Sequence, residues 1–229
     1  METGSETGSE TGQETGHSIT ATVIDDHPVV ISGVRAWCGS ADPPIDVAAA
    51  GPDVGVAWSG PGRSTDVVVL DLQLGDAPAY RDLERLVDDG RQVIVYTMRD
   101  DAETALTCMD IGAFTFLAKA EGPSHLVAAM RAAAENRPYT PPALGGALGT
   151  DTRSQRPRLS PRESEVLVEW FRCESKDMVA QKLNVTVRSV STYIDRVRIK
   201  YANAGRPAPT KAALVARAIQ DGLVQLDDL

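Results

Sequence analysis

Cysteine is scarce in this chain. Cys38, Cys108 and Cys173 are the only three in 229 residues, they are scattered, and no CxxC pair occurs. An odd, dispersed set argues against a disulfide framework and against structural zinc, and it fits a reducing compartment. No apolar run approaches the roughly 18 residues of a membrane span, and the N-terminus is polar and acidic, unlike a signal peptide. A cytoplasmic protein without membrane contact is expected. Cationic side chains are also scarce, but only in the front of the chain. Residues 1–157 hold 11 Lys/Arg against 23 Asp/Glu, a balance of −12, whereas residues 158–229 hold 12 against 9, or +3. An acidic front and a mildly basic back imply two modules with different partners, and the length allows two domains.

The first residues repeat ETGS, ETGS, ETGQ, ETGH. Residues 2–17 offer no apolar side chain to bury, so 1–17 are expected to be a disordered tail. From Ser18 on, β-rich runs alternate with helical patterns. ITATVID, IDVAAA, DVVVLD, QVIVYT and AFTFLAK read as strands, and PVVISGVRAWC, AYRDLERLVDDG, DAETALTCMDIG and SHLVAAMRAAAENR as helices, with a poor, Gly-rich segment at 51–64. Such alternation predicts a doubly wound, flavodoxin-like parallel sheet of five strands over 18–136. Residues 137–157 are rich in Pro, Gly and Thr without clear periodicity and read as a linker. The pattern over 158–229 is only helical and predicts a small all-α domain.

The run VVVLD places Asp71 directly after buried apolar residues, where it cannot serve the core. Parallel strands all end on one side. Asp25 and Asp26 from the first strand, Asp71 from the third, Thr97 from the fourth and Lys119 from the fifth are therefore expected to converge. Three neighbouring carboxylates repel unless a cation is present, and hard oxygen ligands with room for water suit Mg²⁺. A lysine and a hydroxyl beside them suit phosphoryl oxygens.

The segments VIDDHP, VVVLDLQL, VIVYTM and GAFTFLAK together resemble the receiver domain of two-component response regulators. The resemblance implies that Asp71 is the phosphoacceptor for a sensor histidine kinase. Asp26, Asp71 and the backbone carbonyl of Gln73 would hold Mg²⁺, with Asp25 assisting. Thr97 and Lys119 would contact the phosphoryl group, and Thr97 and Phe116 would act as the switch pair. The segment after Asp71 reads LQLGDAP, without the proline that the family often has soon after its acceptor.

In the helical tail, Ser160, Pro161 and Glu163 form a capping box that opens a helix. KLNVT reads as the turn of a helix-turn-helix, with Thr186 capping the second helix. At 100° per residue, Val190, Ile194, Val197 and Tyr201 make one buried stripe, leaving Arg188, Thr192, Asp195, Arg196 and Ile199 on the opposite face. The text LSPRESEVL…DMVAQKLNVTVRSVSTYIDRVRIKY resembles the LuxR-type DNA-binding domain of NarL/FixJ response regulators, with SVSTY (Ser189–Tyr193) where the family usually has TVKTH. Arg188, Arg196, Arg198 and Lys200 are candidate contacts to the phosphates of double-stranded DNA, and Ser191, Thr192 and Asp195 to base edges. The resemblance implies a homodimer; the last helix, TKAALVARAIQDG, either closes the core of this domain or, as in the family, makes the dimer contact.

Two rival readings differ in class. One is a DNA-binding regulator that does not depend on phosphorylation, its receiver serving only as a dimer or ligand module. The other is an aspartate-nucleophile phosphatase, which needs a second Asp two residues after the first for acid–base work. Gln73 stands there, so an enzyme is not expected.

Overall fold

The structure is a computed structural model that describes residues 18–75, 77–150 and 157–225. The acidic repeat lies outside these residues. In chain order come β1 (Thr20–Ile24), α1 (Pro28–Ser40), β2 (Asp46–Gly51), β3 (Val67–Leu70), β4 (Gln73–Leu74), β5 (Ala77–Pro78), α2 (Tyr80–Asp88), β6 (Gln92–Thr97), α3 (Ala102–Ile111), β7 (Thr115–Ala118) and α4 (Pro123–Ala134). Five strands form one parallel sheet in the order β2-β1-β3-β6-β7, as the alternation predicts.

The strand period of two sorts the core. Val67 and Val69 face one cluster with Val34 and Cys38 of α1 and Leu126 and Met130 of α4. Val68 and Leu70 face the other, with Leu83 and Leu86 of α2 and Ala105 and Cys108 of α3. All four residues of β3 are buried, which is why this strand reads as a continuous apolar run. Gly112 ends α3 at φ +118, and a Cβ there would lie 2.8 Å from Val87 Cγ1. Both the left-handed backbone and the close approach of α2 call for glycine.

Three segments differ from the sequence expectation. The Gly-rich segment forms two short 3-10 turns, Val54–Trp58 and Gly60–Ser64. Arg91 holds it by donating to Ala57 O at 3.0 Å, Gly62 O at 2.9 Å and Thr65 Oγ1 at 2.8 Å. The residues after Asp71 make an extra antiparallel hairpin, β4 with β5. Part of the stretch read as linker is helical: α5 (Pro142–Thr150) lies against α3 and β7, with Leu144 and Ala147 buried in the α2–α3 cluster.

The C-terminal helices are α6 (Pro161–Arg172), α7 (Lys176–Leu183), α8 (Val187–Asn203) and α9 (Lys211–Gln220). The capping box forms: Ser160 Oγ accepts from Glu163 N at 3.2 Å, and Glu163 Oε2 accepts from Ser160 N at 2.7 Å. Asn184, left-handed at φ 52, ends α7, and Thr186 Oγ1 accepts from Ser189 N to start α8. Val190, Ile194, Val197 and Tyr201 are fully buried in this domain's own core, beside Val166, Leu167 and Trp170.

Candidate functional site: an acidic pocket and a covered helix

Strand register builds the acidic pocket. Ile24 is paired with Leu70 in β1 and β3, and Asp71 N donates to Ile24 O at 2.8 Å, so Asp25 and Asp71 emerge side by side. Thr97 is paired with Ala118, placing it beside the residue before Lys119. Lys119 Nζ lies 2.7 Å from both Asp25 Oδ2 and Asp71 Oδ2. All three are nearly out of solvent, the two aspartates at 2 % and the lysine at 8 % exposure. Burial pushes the Lys119 pKa down, but the hydrogen bonds and charges of Asp25 and Asp71 outweigh it, and the net direction is up.

Asp26 is more open. Its Oδ2 accepts from Gly75 N at 3.1 Å, and its Oδ1 lies 2.8 Å from His27 Nδ1. The Gly75 amide is the main reason its carboxyl sits below the ordinary value; slight burial opposes and His27 adds. Gln73 N donates to Asp71 Oδ1 at 3.1 Å, so the Gln73 backbone borders the pocket. Thr97 and Phe116 are fully buried. One ligand atom each from Asp25, Asp26, His27 and Asp71 falls within a span of 4.8 Å. Three carboxylates against one lysine leave an excess of negative charge, and hard oxygens of this kind fit a divalent cation such as Mg²⁺. His27 was not singled out in the sequence, where one histidine after two aspartates carries no separate signal.

The face of α8 that the sequence leaves free is covered by the α/β domain. Arg188 Nη2 pairs with Asp66 Oδ1 at 2.9 Å. Tyr193 Oη donates to the carbonyls at the end of α2, 2.7 Å from Val87 O and 2.6 Å from Asp88 O. Arg196 donates to Arg91 O and, at 3.4 Å, to Gln92 Oε1, and its Nη1 has no hydrogen-bond partner among the described residues. Ile199 joins the α1–α4 core cluster. Gly90 lets the two surfaces meet, since a Cβ on it would stand 2.7 Å from Ser189 Oγ.

The candidate DNA contacts are therefore not a solvated set. Thr192, Arg196 and Lys200 are buried, at 5 %, 3 % and 9 % exposure. Burial lowers the Arg196 pKa, against the influence of Glu163, Tyr193 and Asp88. Lys200 is held by Glu163 Oε2 at 2.9 Å and Arg158 O at 3.0 Å, Asp195 pairs with Arg198 at 2.8 Å, and Ser191 accepts from Lys176 at 3.0 Å. Helical periodicity identified which side of α8 is turned away from its own core. It gave no sign that another domain of the same chain lies there.

Residues 21–131 match the response regulator receiver domain, and residues 157–207 match the luxR family of bacterial regulatory proteins. The chain is a response regulator of the NarL/FixJ type. The DNA-binding transcriptional activator EvgA of Escherichia coli K12 is 29% identical over 189 residues, covering 80% of this chain and 91% of EvgA. The nitrate/nitrite response regulator NarP of the same organism is 28% identical over 219 residues, covering 86% and 95%. Among solved structures, a LuxR-family response regulator from Aurantimonas gives a TM-score of 0.52 at 26% identity, covering 58% of this chain and 96% of that one. An RcsB–DNA complex gives 0.53 at 22% identity, covering 88% and 98%, a likeness of fold. This response regulator thus joins a receiver to a LuxR-type DNA-binding domain, and it holds the second with its α8 surface against the first.

Proposed function

We propose that this response regulator is a cytoplasmic transcription factor switched by phosphorylation of Asp71 from a sensor histidine kinase. The observation that carries the reading is the ammonium of Lys119 held between Asp25 and Asp71 at the carboxyl end of the sheet. A carboxylate oxygen of Asp71 attacks phosphorus, the P–N bond of a phosphohistidine breaks, and the imidazole leaves with its electron pair, giving an acyl phosphate. Lys119 and the Thr97 hydroxyl receive the equatorial oxygens. Asp26, Asp71 and the Gln73 carbonyl, with Asp25 behind them, would hold Mg²⁺, which offsets the charge that builds on those oxygens.

The closed arrangement makes the switch consequential. α8 cannot enter a DNA groove while Tyr193, Arg196 and Ile199 are packed on the receiver, so the resting chain reads DNA only after the domains part. Once free, Arg188, Arg196 and Arg198 serve phosphates, and Ser191, Thr192 and Asp195 serve base edges; Lys200, expected among the phosphate contacts, stays on Glu163 and Arg158 O within its own domain. Two chains then read two half-sites as a homodimer.

Incubation with an acyl-phosphate donor and Mg²⁺ should label the full chain, and Asp71→Asn should abolish the label. Label on Asp71→Asn, or none on the native chain, overturns the assignment. The second outcome favours a regulator that works without phosphorylation.

A further inference from the structure

We propose that α5, the helix inside the linker, is a strap that senses the state of Asp71 and sets the length of the tether to the DNA-binding domain. The proposal rests on the phosphoacceptor reading above. Its starting observation is independent of it: a Pro- and Gly-rich stretch expected to be featureless is docked on the receiver. Leu144 and Ala147 are buried in the same apolar cluster as Ala105, Cys108 and Met109 of α3 and Phe116 of β7. Ahead of the helix, Thr115 Oγ1 donates to Tyr139 O at 3.1 Å, so β7 also fixes the chain leading into α5.

The link to the acidic pocket is one short turn. Lys119, Ala120 and Glu121 form a 3-10 turn directly after β7. Lys119 points to Asp25 and Asp71. Glu121 Oε2 accepts from Ala118 N at 2.9 Å, and its Oε1 accepts from Ala143 N at 2.8 Å, in the first turn of α5. The carboxylate that caps the strap is thus two residues from the ammonium that must change partners when Asp71 takes a phosphoryl group. A carboxylate at a helix N-terminus satisfies an amide that has no partner within the helix, so its displacement weakens docking. Phe116, three residues before Lys119, shares the strap's cluster.

Release has a mechanical consequence. With α5 docked, the eight-residue step from Thr150 to Arg158 can span at most about 28 Å. With α5 released, the free chain begins near Arg137 and reaches about 70 Å. Arg158 Nη1 also holds Asp110 Oδ2 at 3.2 Å, at the end of α3, so the helix that carries the strap grips both ends of the short tether. A short tether keeps the effective concentration of the DNA-binding domain at its receiver surface high, and a long one lowers it.

Hydrogen exchange on the full chain tests this. Beryllofluoride with Mg²⁺ imitates the phosphoryl group, and its bound state is read by fluorine NMR. Exchange at residues 143–147 should speed up by about ten-fold or more when the bound signal is present, as expected once a few buried methyl groups lose their contacts. Unchanged exchange beside a clear bound signal overturns the strap. No bound signal overturns the phosphoacceptor reading and with it the trigger. A second arm needs no phosphoryl mimic. Leu144→Asp, and more mildly Leu144→Ala, should release α5 in the resting chain and raise its affinity for a target duplex several-fold, with the circular dichroism of the receiver retained. Unchanged affinity with exchange at 143–147 already fast shows that tether length does not govern opening and overturns the proposal.

Discussion

Replacing Tyr193 by Phe tests the closed arrangement with one atom. The ring of Tyr193 belongs to the core of the DNA-binding domain, whereas its hydroxyl leaves that core and donates to Val87 O and Asp88 O of the receiver. Burial of the phenol pushes its pKa up to about 12, so at neutral pH it is a donor and not a phenolate. One proton shared by two carbonyls is worth one net hydrogen bond, about 0.5–1.5 kcal/mol. The upper half of that range applies, because both acceptors sit at the C-terminus of α2, at the negative end of its dipole, even though Val87 O also accepts from Gly90 N at 2.9 Å. About 1.4 kcal/mol is a ten-fold change in an equilibrium. If the closed form dominates, the fraction able to bind DNA rises by the same factor, and the apparent dissociation constant of the unphosphorylated chain falls about ten-fold. Fluorescence anisotropy with a duplex selected on the phosphorylated protein measures this. Phosphorylated Tyr193→Phe should bind DNA within about two-fold of the phosphorylated native chain, since in the open form the hydroxyl keeps only its neighbour Arg162, within the DNA-binding domain. A change smaller than about two-fold would show that the receiver contact does not limit DNA binding. Weaker binding in both states would place the hydroxyl at the DNA instead.

Two further outcomes follow from the charges. Lys119→Met leaves Asp25 and Asp71 facing each other in a nearly dry pocket; removing one partner from such a group typically costs about 3–5 kcal/mol. Urea unfolding should show a loss of that order without divalent ions, and added Mg²⁺ should restore more stability to the variant than it adds to the native chain. The Asp66–Arg188 pair should be acid-sensitive only at low pH. Burial tends to raise the Asp66 pKa, but Thr20 and the Arg188 guanidinium outweigh it and hold it at about 2, below the ordinary 3.8. A depressed carboxyl contributes stability that is fully present above its unfolded value and is lost as pH falls through the folded one. The contribution of this pair to the closed form should therefore be level from about pH 5 to 8 and be lost only as pH falls toward about 2, because Thr20 keeps the Asp66 carboxyl low in the open form as well. Domain separation followed by small-angle scattering in native and Asp66→Asn chains checks it, and a midpoint near neutrality would refute it.

The acidic pocket was legible because its geometry follows from a local rule. Residues that end parallel strands meet at one edge, and β3 announces itself by four buried residues before Asp71. The buried stripe of α8 was legible for the same kind of reason, since 3.6-residue periodicity reports one face of one helix. What covers the other face is a relation between surfaces far apart in sequence. Asp66 is 122 residues from Arg188, and Val87 is 106 from Tyr193. No local pattern encodes such pairings. Tyr193 stands in SVSTY only as a departure from a familiar text. The strap was missed for a different reason. Two adjacent glycines, Gly145 and Gly146, weaken helix propensity, and α5 keeps its shape through Leu144, Ala147 and the cap from Glu121, which are tertiary contacts.

The closed interface is built from groups proposed above as DNA contacts. Arg188 sets its guanidinium on a carboxylate as it would on a phosphate, and Arg196 gives its protons to the Arg91 carbonyl and the Gln92 side-chain oxygen. Receiver and DNA therefore compete for the same cations, and the −12 balance of the front of the chain against +3 behind favours the intramolecular partner at long range. The receiver is nonetheless an imperfect substitute. Among the described residues, buried Arg196 has one nitrogen without a hydrogen-bond partner and no carboxylate within ion-pair distance, and an unsatisfied buried cation is costly. That cost offsets part of what Tyr193 and Ile199 contribute, which keeps the closed form shallow enough for a local event at Asp71 to tip it. Giving the cation a charged partner should deepen it. A carboxylate in place of the Gln92 amide, as in Gln92→Glu, whose side-chain oxygen faces Arg196 Nε at 3.4 Å, would hold the chain closed and weaken DNA binding even after phosphorylation, although neither the acidic pocket nor α8 itself is altered.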